Sequence, residues 1–115
     1  MTNVLFDENP DCIYALVPPN MASWVCAKYK CKNKKCKLIF DILDLWPETM
    51  IIGKGNIFYS IPFKFWKYLR NSSIVRADHV FMECGLFRSK LMDIIGDNSS
   101  VLHLYKERSG FKLTD

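Results

Sequence analysis

The sequence predicts an α+β domain: a small, mainly antiparallel sheet with one short and one longer helix packed on one face. Three observations carry that expectation. Residues 23–43 alternate apolar and polar about a single turn position, and residues 78–95 repeat their apolar side chains at the helical period. Strand patterns come first along the chain, helical ones next, and a strand pattern returns last. A length of 115 residues fits one domain, residues 1–115. The 50% apolar and 24% charged content supplies a packed core and excludes an intrinsically disordered chain.

Taken in order, residues 4–6 read as a short strand, Glu8-Asn9-Pro10-Asp11 as a turn and residues 12–17 as a second strand that Pro18-Pro19-Asn20 ends. Across residues 23–43, a turn centred on Asn33-Lys34 sets Val25 against Ile42, Ala27 against Phe40, Tyr29 against Leu38 and Cys31 against Cys36 on one face. The other face then carries Lys28 opposite Ile39, Lys30 opposite Lys37 and Lys32 opposite Lys35. A slip of one residue would turn the apolar set to solvent, which is what would pin such a hairpin's register. Pro47 interrupts the chain, Gly53 and Gly55 punctuate a loop, and residues 57–61 read as another strand. Pro62 suits the first position of a short helix over 62–70, where its missing N–H is not needed. Asp78 stands as N-cap of a longer helix ending at Ile95, with Gly96 just beyond and a stripe of Val80, Phe81, Cys84, Phe87, Leu91, Ile94 and Ile95. Gly85 inside that run marks a break or a close backbone approach. Residues 101–106 alternate as the last strand, and Glu107-Arg108-Ser109-Gly110 turns it toward residues 111–113.

The charge is local. Sixteen Lys and Arg against twelve Asp and Glu give a formal +4, yet Lys28, Lys30, Lys32, Lys34, Lys35 and Lys37 fall in one decapeptide without an acid. The rest of the chain holds ten bases and twelve acids. In the expected hairpin, like charges face one another across the strands, each pair unfavourable by up to about 1 kcal/mol. A phosphate chain would offset that repulsion through counterion release. The plainer reading is a solvated face that guards the sheet against edge pairing. Twelve lysines against four arginines, with abundant Ile, Asn, Phe and Tyr, fit an AT-rich coding sequence such as that of a virus or phage.

A second cluster, Phe58, Tyr59, Phe63, Phe65, Trp66 and Tyr68, is interleaved with Lys64, Lys67 and Arg70. One side of a short helix cannot bury six aromatics, so some are expected at the surface, able to stack bases or to anchor a protein partner. A helix buried on both faces is the alternative. Five cysteines cannot all pair within one chain, and the acidic start, residues 6–11, lacks the pattern of a secretion signal, so reduced thiols and an intracellular, soluble protein, cytoplasmic or nuclear, are expected. No apolar run approaches the ~18 residues of a membrane span. Cys12, Cys26, Cys31 and Cys36 invite a four-thiolate zinc site, but the last three are spaced by four residues rather than two, which is not a zinc knuckle, and strand parity would turn Cys26 away from Cys31 and Cys36. Cys31 and Cys36 would be cross-strand neighbours, able to pair if oxidised.

For catalysis the chain offers His79, His103 and Cys84 without a recognisable partner spacing. Gly53-Lys54-Gly55 lacks the spacing of a phosphate-binding P-loop, and Asp41, Asp44 and Glu48 lack a second ligand cluster. The expectation is a non-catalytic module without a cofactor or metal, docking RNA or DNA on Lys28, Lys30, Lys32, Lys34, Lys35 and Lys37, aided by Lys64, Trp66, Lys67 and Arg70. The alternatives are an accessory or inhibitor protein that binds an acidic or apolar protein surface through residues 58–70, a structural zinc protein built on the clustered cysteines, and an enzyme using His79 or Cys84. Open sheet edges would permit a homodimer.

Overall fold

Three short runs rich in β-branched and aromatic residues, and a fourth that reads Ser-Ser-Val, pair side by side, and each is separated from the next by a segment that coils. The computed structural model describes residues 2–45 and 57–102. The order is α1 (Thr2–Glu8), β1 (Cys12–Val17), α2 (Asn20–Lys32), β2 (Lys37–Ile42), α3 (Ile57–Ile74), β3 (His79–Met82), α4 (Gly85–Ile95) and β4 (Ser99–Val101). The strands form one sheet in the order β1-β2-β3-β4, and every neighbouring pair is parallel. The expected mainly antiparallel sheet is therefore overturned. Parallel neighbours cannot be joined by a tight turn; the chain must return from the end of one strand to the start of the next, and α2, α3 and α4 are those returns.

The hairpin over residues 23–43 is the largest correction. Its second arm is a strand, β2, but its first arm is α2, and β2 pairs with β1 in the register Cys12 with Lys37 through Val17 with Ile42. Met21, Ala22, Ala27 and the lysines are good helix formers. The residues that α2 buries include Asn20, Ser23, Cys26 and Ala27, a helical spacing. Two of these are polar, so the buried stripe does not show as an apolar pattern. Ser23 Oγ donates to the Pro19 carbonyl at 3.3 Å, one turn back, and Asn20 Nδ2 to the Trp66 carbonyl of α3 at 3.2 Å.

Three further expectations change. Residues 4–6 lie in α1, and residues 57–61 open α3, which holds the expected helix of 62–70 and carries Pro62 inside it. The expected helix over 78–95 divides: β3 occupies its first part, Cys84 is the N-cap of α4 and Gly85 its first residue. The break that Gly85 suggested is real. Of the expected last strand, Val101 belongs to β4; residues 103–113, like Pro47, Gly53 and Gly55, lie outside the described residues.

Alternation along the strands sorts the sheet into two faces. Ile13, Val17, Leu38, Phe40, Ile42, Val80 and Met82 point to one side and form the core with Cys26, Ala27, Ile74, Leu91 and Ile95 of the helices. The other side presents Tyr14 and Leu16, about half exposed, beside half-buried Ile39, Asp41, His79 and Phe81. On it, Tyr14 donates to Asp41 Oδ2 at 2.5 Å, and that hydrogen bond, with burial and the carboxylate's charge, holds the phenol above its ordinary pKa. The domain is thus two layers, helices over one face of a sheet. Among the described residues, no helix is long and apolar enough to cross a membrane.

One polar clamp fixes the start of β3. The Asp78 N–H donates to the Leu38 carbonyl at 2.8 Å, while its carboxylate accepts from the Leu38 N–H at 2.8 Å and pairs with Lys30 Nζ at 2.9 Å. Burial alone would raise that carboxyl. The Leu38 hydrogen bond, Lys30 and the charge of Lys37 outweigh it and hold the group below its ordinary value.

Candidate anion-binding groove

The six clustered lysines do not share one face. Lys28, Lys30 and Lys32 lie along the last turns of α2, Lys34 and Lys35 in the turn that follows, and Lys37 at the first position of β2. Cations at a helix C-terminus meet the negative end of its dipole, so part of this cluster serves α2 itself. Lys30 is committed to the fold: besides Asp78, its ammonium donates to the carbonyls of Cys36 at 2.5 Å and Lys34 at 3.1 Å, and its side chain is 14% exposed. Lys28, Lys32, Lys34, Lys35 and Lys37 are exposed.

What the helical geometry does instead is set Trp24, Lys28 and Lys32 on one line, each four residues after the last. On the neighbouring helix Tyr68 and Ser72 follow the same spacing, which Arg76, in the turn after α3, continues. These two lines flank a groove of about 470 Å³ between α2 and α3, closed toward α1 by Phe6. Its lining also includes Val25, Ala27, Tyr29 and Cys31 and, among the described residues, no acid. The Lys28 ammonium lies 3.9 Å from the Trp24 ring centre and that of Lys32 5.2 Å from the ring of Phe6, so the cations rest on the aromatic walls. Phe6 packs edge-on against Tyr29 at 5.2 Å, and the Tyr29 hydroxyl donates to Asn9 Oδ1 at 3.2 Å, which ties α1 to α2. Burial raises the Tyr29 phenol. Arg76 donates to the Ser72 carbonyl, which keeps its guanidinium beside the groove.

Lys32 is shared with a second hollow of about 450 Å³ lined by Asn9, Pro10, Asp11, Asn33, Lys34, Lys35 and Cys36. The positive track therefore runs from Arg76 through Lys28 and Lys32 to Lys34 and Lys35, with Asp11 as the acid beside its far end. Lys37 lines neither hollow.

The aromatic-basic segment is only partly as expected. Arg70 is 1% exposed and bonded to Asn71 Oδ1 through Nε and Nη2, so it belongs to the interior rather than to a ligand surface. Trp66 is half-buried and does not line the groove; Tyr68, 64% exposed, takes the place expected of it. Lys64 and Lys67 are exposed on α3, Lys64 four residues before Tyr68 and hence on its line. Sequence reasoning does not single out Trp24, Phe6 or Arg76, because only the packing of α2 against α1 and α3 makes them neighbours.

The other candidates do not assemble. Cys31 is exposed on α2 whereas Cys36 is buried just before β2, so they are not cross-strand neighbours, and all five thiols are free. Burial raises the thiols of Cys26 and Cys36. Among the described residues, no group of three or more His, Cys, Asp or Glu side chains could hold a metal ion. His79 lies on β3 rather than at a helix start, its Nε2 2.9 Å from Ser100 Oγ and its ring edge-on to Phe81. Cys84 lies beyond the other end of that strand, as the N-cap of α4. No protein-family model, curated protein or solved structure matches the chain.

Proposed function

We propose that the protein is a non-catalytic binding module that docks a nucleic acid through the cations at the end of α2. The observation that carries this reading is the lining of the groove: Lys28, Lys32 and Arg76 with Phe6, Trp24 and Tyr68, and no carboxylate among them. Three cations without a neutralising acid favour an anion, and aromatic walls favour a ligand with flat apolar parts. Nucleic acid offers both. Lys34 and Lys35 extend the contact beyond the groove, whereas Lys30 takes no part because its charge is met within the fold.

The test is to change Lys28, Lys32, Lys34 and Lys35 together to Ser and follow the binding of a labelled oligonucleotide at low salt. Affinity should fall, and the slope of log K against log salt should flatten by about 0.7 for each phosphate of a single strand that the variant no longer neutralises. Unchanged affinity and slope would overturn the reading.

A second reading rests on a different observation. Ile61, Phe65 and Tyr68 are 71%, 59% and 64% exposed and lie along one side of α3, an apolar line that suits the anchor of an accessory or inhibitor protein on another protein's surface. Capture of a partner that survives high salt and nuclease, and is lost with Phe65→Ala, would favour it over the first.

A further inference from the structure

We infer that the groove between α2 and α3 takes an unstacked nucleobase, so that the ligand is a single-stranded rather than a duplex nucleic acid; this rests on the nucleic-acid reading above. The base would enter between Trp24 and Tyr68, with Lys28, Lys32 and Arg76 at the rim to meet its phosphates. Neighbouring helices pack with axes about 8–10 Å apart, so a groove between them admits a flat ring but not the body of a duplex. In a duplex the ring faces are already covered by their neighbours, and aromatic walls would have nothing to stack on. The volume of about 470 Å³ lies within the range of small-ligand sites and suits one nucleoside.

The position of Lys28 gives the groove an exchange mechanism. Its ammonium lies over the Trp24 ring, 3.9 Å from the centre. A phosphate attracts that ammonium more strongly than a ring face does, since the first is a full charge and the second a quadrupole. Drawing Lys28 toward the backbone uncovers the indole, and the base replaces the cation on it. Phosphate contact and base stacking are thereby coupled: a polyanion without bases gains only the first.

The experiment uses the whole chain and three probes at low salt: a fluorescent oligouridine of about twelve nucleotides, long enough for an ordinary single-strand site, a blunt duplex of the same length, and inorganic polyphosphate as competitor. The single strand should bind more tightly than the duplex. Trp24→Leu and Tyr68→Ala should each weaken it roughly 5- to 150-fold, the range found when a stacking platform is truncated, and should narrow its advantage over polyphosphate. Tyr68 is 64% exposed, so its variant keeps the test valid if Trp24→Leu fails to fold. Leu86→Ala, on α4 and 63% exposed outside the groove, should bind as the wild type does. Equal binding of single strand and duplex, or oligouridine binding that Tyr68→Ala leaves unchanged, would overturn the inference; if that binding still fell steeply with salt, the nucleic-acid reading would stand without it. A wild-type chain that bound no oligonucleotide at low salt would remove both.

Discussion

Replacing Asp78 by Ala tests whether the clamp at the start of β3 is as the structure has it. The carboxylate accepts a hydrogen bond from the Leu38 N–H at 2.8 Å and pairs with Lys30 at 2.9 Å. A hydrogen bond to a charged group contributes about 1.5–3 kcal/mol. Leu38 is fully buried, so its N–H would lose its partner away from water. The ion pair adds little more: the Asp78 side chain is 33% exposed, and Lys30 keeps two carbonyl acceptors after the change. A total of about 2–3 kcal/mol follows, or roughly 8–12 °C in Tm for a chain of this size. Urea unfolding at pH 7, by circular dichroism, measures it.

The pH dependence has a definite sign. The folded-state pKa of Asp78 is depressed, so its contribution is complete above the unfolded value of about 4 and is lost as pH falls through the folded value. The wild type and the Asp78→Ala variant should therefore differ most near neutrality and draw together in acid. A difference under about 0.5 kcal/mol at pH 7, or one that does not shrink below pH 4 or so, would refute the clamp.

Other expectations follow from the same geometry. Gly96 has φ +56° at the end of α4, so Gly96→Ala should destabilise by about 1–3 kcal/mol, whereas Gly85→Ala, with open space around the added carbon, should change stability by less than about 1 kcal/mol; paired urea titrations compare them. Cys12 and Cys31 are exposed, and Cys26 and Cys36 are buried with raised thiols. An alkylating reagent should thus label the first two in the folded protein and the second two only in denaturant, as read by mass spectrometry of peptides; early labelling of Cys36 with protection of Cys31 would contradict the placement of α2.

The sequence disclosed strands more readily than their partners. The bounds of β1 and the alternation of Leu38, Phe40 and Ile42 were legible because a strand with one buried face looks the same whether its neighbour runs parallel or antiparallel. Direction depends on what lies between the strands, and there the signal failed. In α2 the buried line passes through Asn20 and Ser23, while Val25, Ala27, Tyr29 and Cys31 imitate a strand's alternation. In β3 the alternating stretch is four residues long, and Val80, Cys84, Phe87 and Leu91 continue it at helical spacing, so only Gly85 hinted that two elements meet. The lysine cluster could be counted directly. Its division into Lys30, which holds the fold, and Lys28 and Lys32, which line the groove, required knowing that Asp78, 48 residues after Lys30, closes on it. Trp24 and Tyr68 likewise come to line one groove only when α2 and α3 pack.

The parallel sheet also determines how the molecule must assemble in time. Cys12 pairs with Lys37, Ile39 with His79 and Val80 with Ser99, partners 25, 40 and 19 residues apart. No ladder can start from a tight turn and zip outward. Each must close a loop that contains a helix before its first interstrand bond forms, and the entropy of closure is lost before any contact compensates it. The longest of these closures joins β2 to β3, the one step that unites the half of the chain bearing α2 with the half bearing α4. Trp24 on α2 precedes that loop and Tyr68 on α3 lies within it, so the docking of α3 on α2 that builds the groove belongs to the same long closure.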